Sequence, residues 1–246
     1  MTSQANARRP QLHFARFEFK YQLPNDLRKE FERELAHFVE FDPFVAQTPH
    51  HQYFVRSLYF DDPAYSCYFD KVEGLKKRAK FRLRTYTQTP SPQTPQFLEI
   101  KGRHNQLVFK HRTPVAYTAP DNPLPDLLSV CNSSAVTQQF CFEYYRKHLK
   151  AAALIDYWRR PYISRYDPEF RLTFDAQIQA SQSSGLAPEL TDRTRRVLPG
   201  YTVMEVKFKR HIPAWFHRLI QAYQLTRKSI SKICYGLEAL ELVEED

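Results

Sequence analysis

The sequence predicts an α+β fold: a closed antiparallel β-barrel of about eight strands with helices packed outside it. Three observations carry that reading. Several segments alternate apolar and polar residues with period two, the mark of strands with two unlike faces. Lys and Arg recur on one parity of those segments. The 246 residues show no internal repeat and no shift in composition, so they read as a loose arm, 1–12, followed by one domain, 13–246.

Residues 14–23 alternate and predict a strand. Asn25 or Asp26 then caps a helix whose Leu27, Phe31, Leu35 and Phe38 recur at helical spacing. Residues 54–60 form a second apolar, β-branched and aromatic run. Asp61-Asp62-Pro63 is a turn, 64–72 a short helix, and Gly74 its end. Period two returns over 76–86 until Pro90, Pro92 and Pro95 break the chain. Residues 97–103 and 107–115 are strands joined by the turn His104-Asn105-Gln106, and a Pro-rich connector covers 114–125. A helix is expected over 127–147, a strand pair at 151–164 and 170–175, and a loop at 180–200. The last elements are a strand at 202–209, a helix from Pro213 to about Leu225, and a short acidic tail helix after Gly236.

Residues two apart on a strand share a face. Glu18 and Lys20 then lie with Arg16, opposite Phe17 and Phe19; Arg78, Lys80, Arg82 and Arg84 oppose Ala79, Phe81 and Leu83. Glu99, Lys101 and Arg103 oppose Leu98 and Ile100, and Lys110 and Arg112 fall together. Arg171 and Asp175 oppose Leu172 and Phe174, while Glu205, Lys207 and Lys209 oppose Met204, Val206 and Phe208. With Arg159, these faces hold fourteen Lys or Arg against four Asp or Glu, whereas the whole chain has 36 against 27. An ordinary solvated face mixes its signs, and like charges on neighbouring strands destabilise a sheet. The skew points to an anionic ligand. Turned inward, such faces would line a channel that focuses its field on a linear anion.

Composition narrows the ligand. A formal charge of +9 favours an anionic partner, yet only five glycines are present and no Gly-rich phosphate loop occurs. Side chains must hold any phosphate, Arg as a fork and Lys as a point charge. Cations and aromatics sit on opposite parities, which argues against nucleic acid, where bases stack beside phosphate contacts. Cys67, Cys131, Cys141 and Cys234 show no metal-binding spacing and are expected as free thiols. No signal peptide or membrane span is read, so a cytoplasmic location is expected and any membrane association would come through a partner. Asp175 is expected to cap or end its strand, and Glu99 to balance charge.

Taken in order, these residues resemble the VTC (vacuolar transporter chaperone) domain of polyphosphate polymerases, in the triphosphate tunnel metalloenzyme superfamily. Arg16-Phe17-Glu18-Phe19-Lys20-Tyr21 is similar to that domain's RxExKY start, where the wider superfamily has ExExK. Tyr59-Phe60-Asp61, Gly74 and the run from Arg78 to Tyr86 resemble its YFD…G…RxKxRxRxY stretch. Leu98-Glu99-Ile100-Lys101 with Lys110 and Arg112, Asp156 to Arg159 with Phe170 to Asp175, Glu205-Val206-Lys207-Phe208, and Ser231-Lys232 complete a series over about 14–240. One departure is Ile233 where Tyr commonly follows Ser-Lys; Tyr235 comes two later.

The resemblance implies a tunnel that binds ATP and inorganic polyphosphate, or another triphosphate, with Mn²⁺ or Mg²⁺. It implies phosphate contacts from Lys20, Arg82, Arg84, Lys101, Lys110, Arg159, Arg171, Ser231 and Lys232, with Lys20, Arg82, Arg84 and Lys232 acting in catalysis. It makes Glu205 the metal ligand, with Glu18 either a second ligand or an ion-pair partner. The expected activity is transfer of the γ-phosphate of ATP onto a polyphosphate chain. Hydrolysis of tripolyphosphate or a nucleoside triphosphate in the same tunnel, and non-catalytic polyphosphate binding, are the alternatives. The VTC-like RxExK has one carboxylate fewer than ExExK, which favours transfer over hydrolysis.

Overall fold

A computed structural model describes residues 17–104, 107–189 and 192–244. The expected arm at 1–12, Arg16 and the turn residues Asn105 and Gln106 lie outside them. The strands are β1 (Phe17–Pro24), β2 (Val39–Phe41), β3 (Tyr53–Asp61), β4 (Lys77–Thr85), β5 (Gln96–His104), β6 (Leu107–Val115), β7 (Lys150–Ser164), β8 (Arg171–Ser181), β9 (Thr194–Arg196) and β10 (Tyr201–Phe208). The helices are α1 (Asn25–Leu35), α2 (Ser66–Val72), α3 (Leu124–Ser129), α4 (Ala135–Lys147), α5 (Ala214–Ala222) and α6 (Lys232–Ala239).

All pairings are antiparallel, in the order β1-β10-β8-β7-β3-β4-β5-β6, with β2 added to β7 and β9 to β8. The expected closure is corrected here: among the described residues β1 and β6 do not pair, and the sheet is curled but open. The unpaired edge of β1 is occupied by another segment. Tyr21 bridges to Arg227, and the Lys228 amide donates to the Lys20 carbonyl at 2.8 Å. Side chains span the gap instead, the Lys101 ammonium of β5 lying 3.1 Å from the Glu18 carboxylate of β1.

Apolar residues of one parity form the convex face, and helices cover it. Phe31 of α1 meets Phe174 and Phe216 edge-on at 6.4 Å each. Phe140 of α4 meets Phe60 and Phe81 at 5.2 and 6.3 Å. The sixth helix departs from the expectation that all helices pack outside. Cys234, Leu237 and Leu240 bury against Ile155, Tyr157, Ala180 and Val203, and parity puts those residues on the concave face with Arg159 and Glu205. α6 therefore fills half of the hollow.

Gly236 lies inside α6 rather than before a tail helix. A Cβ there would stand 2.6 Å from the Ile155 Cδ1 and 3.1 Å from the Ala180 Cβ, so close packing sets this residue. The helix expected over 127–147 is two helices. Ser134 and Thr137 form a reciprocal capping box that starts α4 afresh, each side chain accepting the other's amide N–H at 3.1 and 2.9 Å. The break brings Cys131 back against α4, where it forms a disulfide with Cys141, ten residues on. Only Cys67 and Cys234 are free thiols, both buried. Asn25 is not the α1 cap: Pro24 holds that place, and the Asn25 side-chain oxygen accepts the Thr202 hydroxyl at 2.9 Å. The loop expected at 180–200 contains β9. Among the described residues no helix is long and apolar enough to cross a membrane.

Candidate active site

The half of the concave face that α6 leaves open is a cavity of about 1100 Å³. β1, β3, β4, β5, β6, β7 and β10 line it, together with the segment leading into α6. Strand alternation delivers the cations: Arg78, Lys80, Arg82 and Arg84 all reach it from β4. Of the sequence-predicted residues, Lys20, Arg82, Arg84, Lys101, Lys110, Arg159, Ser231, Lys232, Glu18 and Glu205 come together there. Arg171 does not line it. That residue is exposed at the start of β8, across from Lys207 in register.

Two carboxylate nodes organise the charges. Glu99, fully buried, gathers Arg82 at 2.6 Å, Lys110 at 2.8 Å, and Arg84 and Arg112 at 3.6 Å. Arg82 also donates to the Tyr59 hydroxyl at 2.8 Å. The second node joins distant elements. Lys232 lies 2.5 Å from Asp175 and 2.7 Å from Glu205. Arg159 forks onto Asp175, both contacts at 2.6 Å, and reaches Glu205 at 3.3 Å. Asp175 thus holds cations rather than ending its strand. The neighbouring Arg160 turns to Glu32 of α1 at 3.1 Å.

Burial and charge compete at each group. Burial and Glu205 push the Glu18 carboxyl up, but Lys101, Lys20 and Lys207 outweigh them and hold it at about 2. Burial also raises Glu205, yet Lys232, Lys20 and Arg159 keep its carboxyl well below the usual range. Burial lowers Lys20, and Glu205 and Glu18 more than restore it. Burial dominates at Lys101 and Lys110, which fall to about 8 despite Glu18 and Glu99. Burial raises the Tyr59 phenol, but Arg82 and Arg84 bring it down to about 8.

The donor set fits a hard divalent ion. Glu18 and Glu205 converge on one cation, the Lys20 ammonium, at 3.4 and 3.5 Å. Two carboxylates completed by phosphate oxygens is the usual holding of Mg²⁺. Among the described residues no cluster of three or more His, Cys, Asp or Glu could hold a metal by itself, so substrate oxygens would have to complete the shell.

Sequence reasoning missed several lining residues. Tyr59 and Tyr157 face the cavity on β3 and β7, but a tyrosine beside other apolar residues carries no charge signal. Lys71, Arg227 and Lys228 line it from a helix and an irregular segment, where no period-two pattern marks a face.

Comparison with known proteins agrees with this architecture. No curated protein matches the chain. A solved structure of a proposed adenylate cyclase from Bacillus halodurans shares the fold at 11% identity, covering 88% of this chain and 94% of that one with a TM-score of 0.52. A Pyrococcus horikoshii OT3 protein, PH1819, matches at 12% identity over 92% and 98% of the two chains, TM-score 0.43. The Mimivirus capping enzyme triphosphatase matches at 11% identity over 84% and 88%, TM-score 0.29. The VTC domain model matches residues 15–241. The chain belongs to the VTC domain family.

Proposed function

We propose that the chain is a phosphotransferase that moves the γ-phosphate of ATP onto the end of an inorganic polyphosphate chain, with Mn²⁺ or Mg²⁺. One observation carries this choice: the cavity's carboxylates, Glu18 and Glu205, with the buried Glu99 and Asp175 beside them, are all engaged by cations. None of them stands ready to take a proton from water. A terminal phosphate oxygen is already ionised near neutral pH and needs no base, whereas attack by water is helped by one. The arrangement favours transfer over hydrolysis.

Phosphoryl transfer asks the protein mainly for position and charge. Three of the five N–H donors of Arg82 are committed to Glu99 and Tyr59, and the others remain for a phosphate oxygen. Glu99 fixes the plane of that guanidinium and the reach of Lys110. Lys20, Arg159 and Lys232 surround Glu205, so a transferring group beside it would meet cations on several sides. Arg84 and Lys101 extend the grip along the chain of phosphates, and Ser231 offers a hydroxyl at the start of α6. A divalent ion held by Glu205 and Glu18 would neutralise charge on the phosphate oxygens.

The test is incubation of the purified protein with ATP and Mn²⁺ or Mg²⁺, scoring ADP, free phosphate and long-chain polyphosphate separately. Polymer with ADP is expected. Free phosphate alone would reassign the cavity to hydrolysis, and retained ligand binding without product would make it a binding module.

A further inference from the structure

A serine hydroxyl on the cavity wall is held in place among cations. Ser231 lines the cavity, and its Oγ accepts an N–H of the Lys80 ammonium at 2.6 Å. The same oxygen caps α6, accepting the Cys234 amide at 3.4 Å. That bond exceeds the usual limit of about 3.2 Å, so one lone pair is only loosely held. The flanking residues are fixed. The Ile230 carbonyl accepts the Lys20 ammonium at 2.9 Å, and Lys232 is locked between Asp175 and Glu205. Lys80 also donates to the buried Cys234 sulfur at 3.4 Å, and among the described residues no carboxylate pairs with it. Its charge faces the hydroxyl unopposed.

A hydroxyl in a phosphate cavity can do more than donate one hydrogen bond. A serine oxygen and the terminal oxygen of a phosphate chain are alternative acceptors in phosphoryl transfer. Attack on phosphorus needs a fixed oxygen and cations around the transferring group. Ser231 has both. We infer that Ser231 is itself a phosphoryl acceptor: when no polyphosphate end occupies the cavity, its Oγ takes the γ-phosphate of ATP and becomes phosphoserine. The Oγ–P bond forms as the bond from the γ-phosphorus to the β,γ-bridging oxygen breaks. That electron pair leaves with ADP, and the hydroxyl proton passes by a phosphate oxygen to solvent. The new charge of about −2 lies against Lys80 and the start of α6, where anions are stabilised. This inference rests on the transfer chemistry proposed above and gives it a second acceptor.

Incubation with ATP and Mg²⁺ or Mn²⁺ and no added polyphosphate, then denaturation and mass spectrometry of the chain and its peptides, tests it. One phosphate per chain at Ser231 is expected. Tripolyphosphate at ten times its Kd should slow labelling about tenfold by taking the acceptor's place. Ser231→Thr keeps a hydroxyl and should still be labelled. Ser231→Asn keeps a capping oxygen for α6 and should not. Polymer formed without phosphoserine, equal labelling of Ser231→Asn, or phosphate on the exposed Ser229 instead overturns the inference while the transfer reading stands. Neither polymer nor phosphoserine, with or without release of ADP, overturns the transfer reading and this inference with it.

Discussion

The concave face of the sheet has two halves built from the same strands. On β7, Ala153 and Ile155 lie under α6, Tyr157 borders both halves, and Arg159 faces the cavity. On β10, Val203 belongs to the apolar half, and Glu205 and Lys207 to the cationic one. The apolar half contributes stability through buried area, about 25 cal/mol for each Å² removed from water. The cationic half costs stability, because like charges crowd together and are only partly matched by carboxylates. A strand that changes character midway thus separates holding the fold from holding the ligand. α6 serves both halves: Ser231 caps it, Lys232 enters the charged node, and Leu237 enters the apolar floor.

The sharpest way to break this division is at the boundary. Lys232→Met leaves Asp175 and Glu205 buried with Arg159 as their main shared partner. Removing one member of a buried ion network costs about 3–5 kcal/mol. A loss of about 3 kcal/mol in urea unfolding is expected, along with loss of transfer activity. Unchanged stability would mean that the node contributes nothing to the fold. Next in size, and confined to the ligand half, is Arg82→Gln. Glu99 keeps Arg84, Lys110 and Arg112, so the fold should survive. Loss of one fixed charge-stabilising donor should lower turnover about 10²-fold. A comparable fall in stability would show that Arg82 acts mainly as a strut.

Legibility in the sequence follows the same division. The Glu99 node joins three neighbouring strands, and period two on β4, β5 and β6 was enough to put Arg82, Arg84, Lys101 and Lys110 on one side. The Glu205 node joins β7, β8, β10 and α6, and no local pattern says that Asp175 meets Lys232. Ser231 and Lys232 were reachable only through the family resemblance. Gly236 read as the residue before a tail helix, whereas contact with Ala180, 56 positions away in the sequence, is what requires it. Closure was likewise invisible: alternation fixes which side chains share a face, not whether the two edge strands meet.

A smaller perturbation acts on the floor alone. In Gly236→Ala the new methyl presses on Ile155 and Ala180. Overpacking costs about 1–3 kcal/mol, and alanine returns about 1 kcal/mol of helix propensity. A net loss of about 1 kcal/mol is expected by urea titration, with turnover per folded molecule unchanged. Reduced turnover at full stability would mean that α6 positions the charged node through its floor contacts.

The smallest effect separates the halves by the sign of their response to pH. Burial holds Lys101 and Lys110 at about 8 in the empty cavity, below the ordinary lysine value of about 10.4. Between those values the unfolded chain binds more protons than the folded one, so raising pH through this window stabilises the empty protein. The same rise removes positive charge from the lumen and weakens an anionic ligand. Both side chains are at least a third exposed, so solvent screens the loss, and tripolyphosphate affinity should fall only about threefold between pH 7 and pH 9. Titration calorimetry near pH 8 in buffers of different ionisation enthalpy should show proton uptake on binding, because bound phosphate raises both lysines. Proton release, or affinity that rises with pH, would place the ligand away from these two ammonium groups.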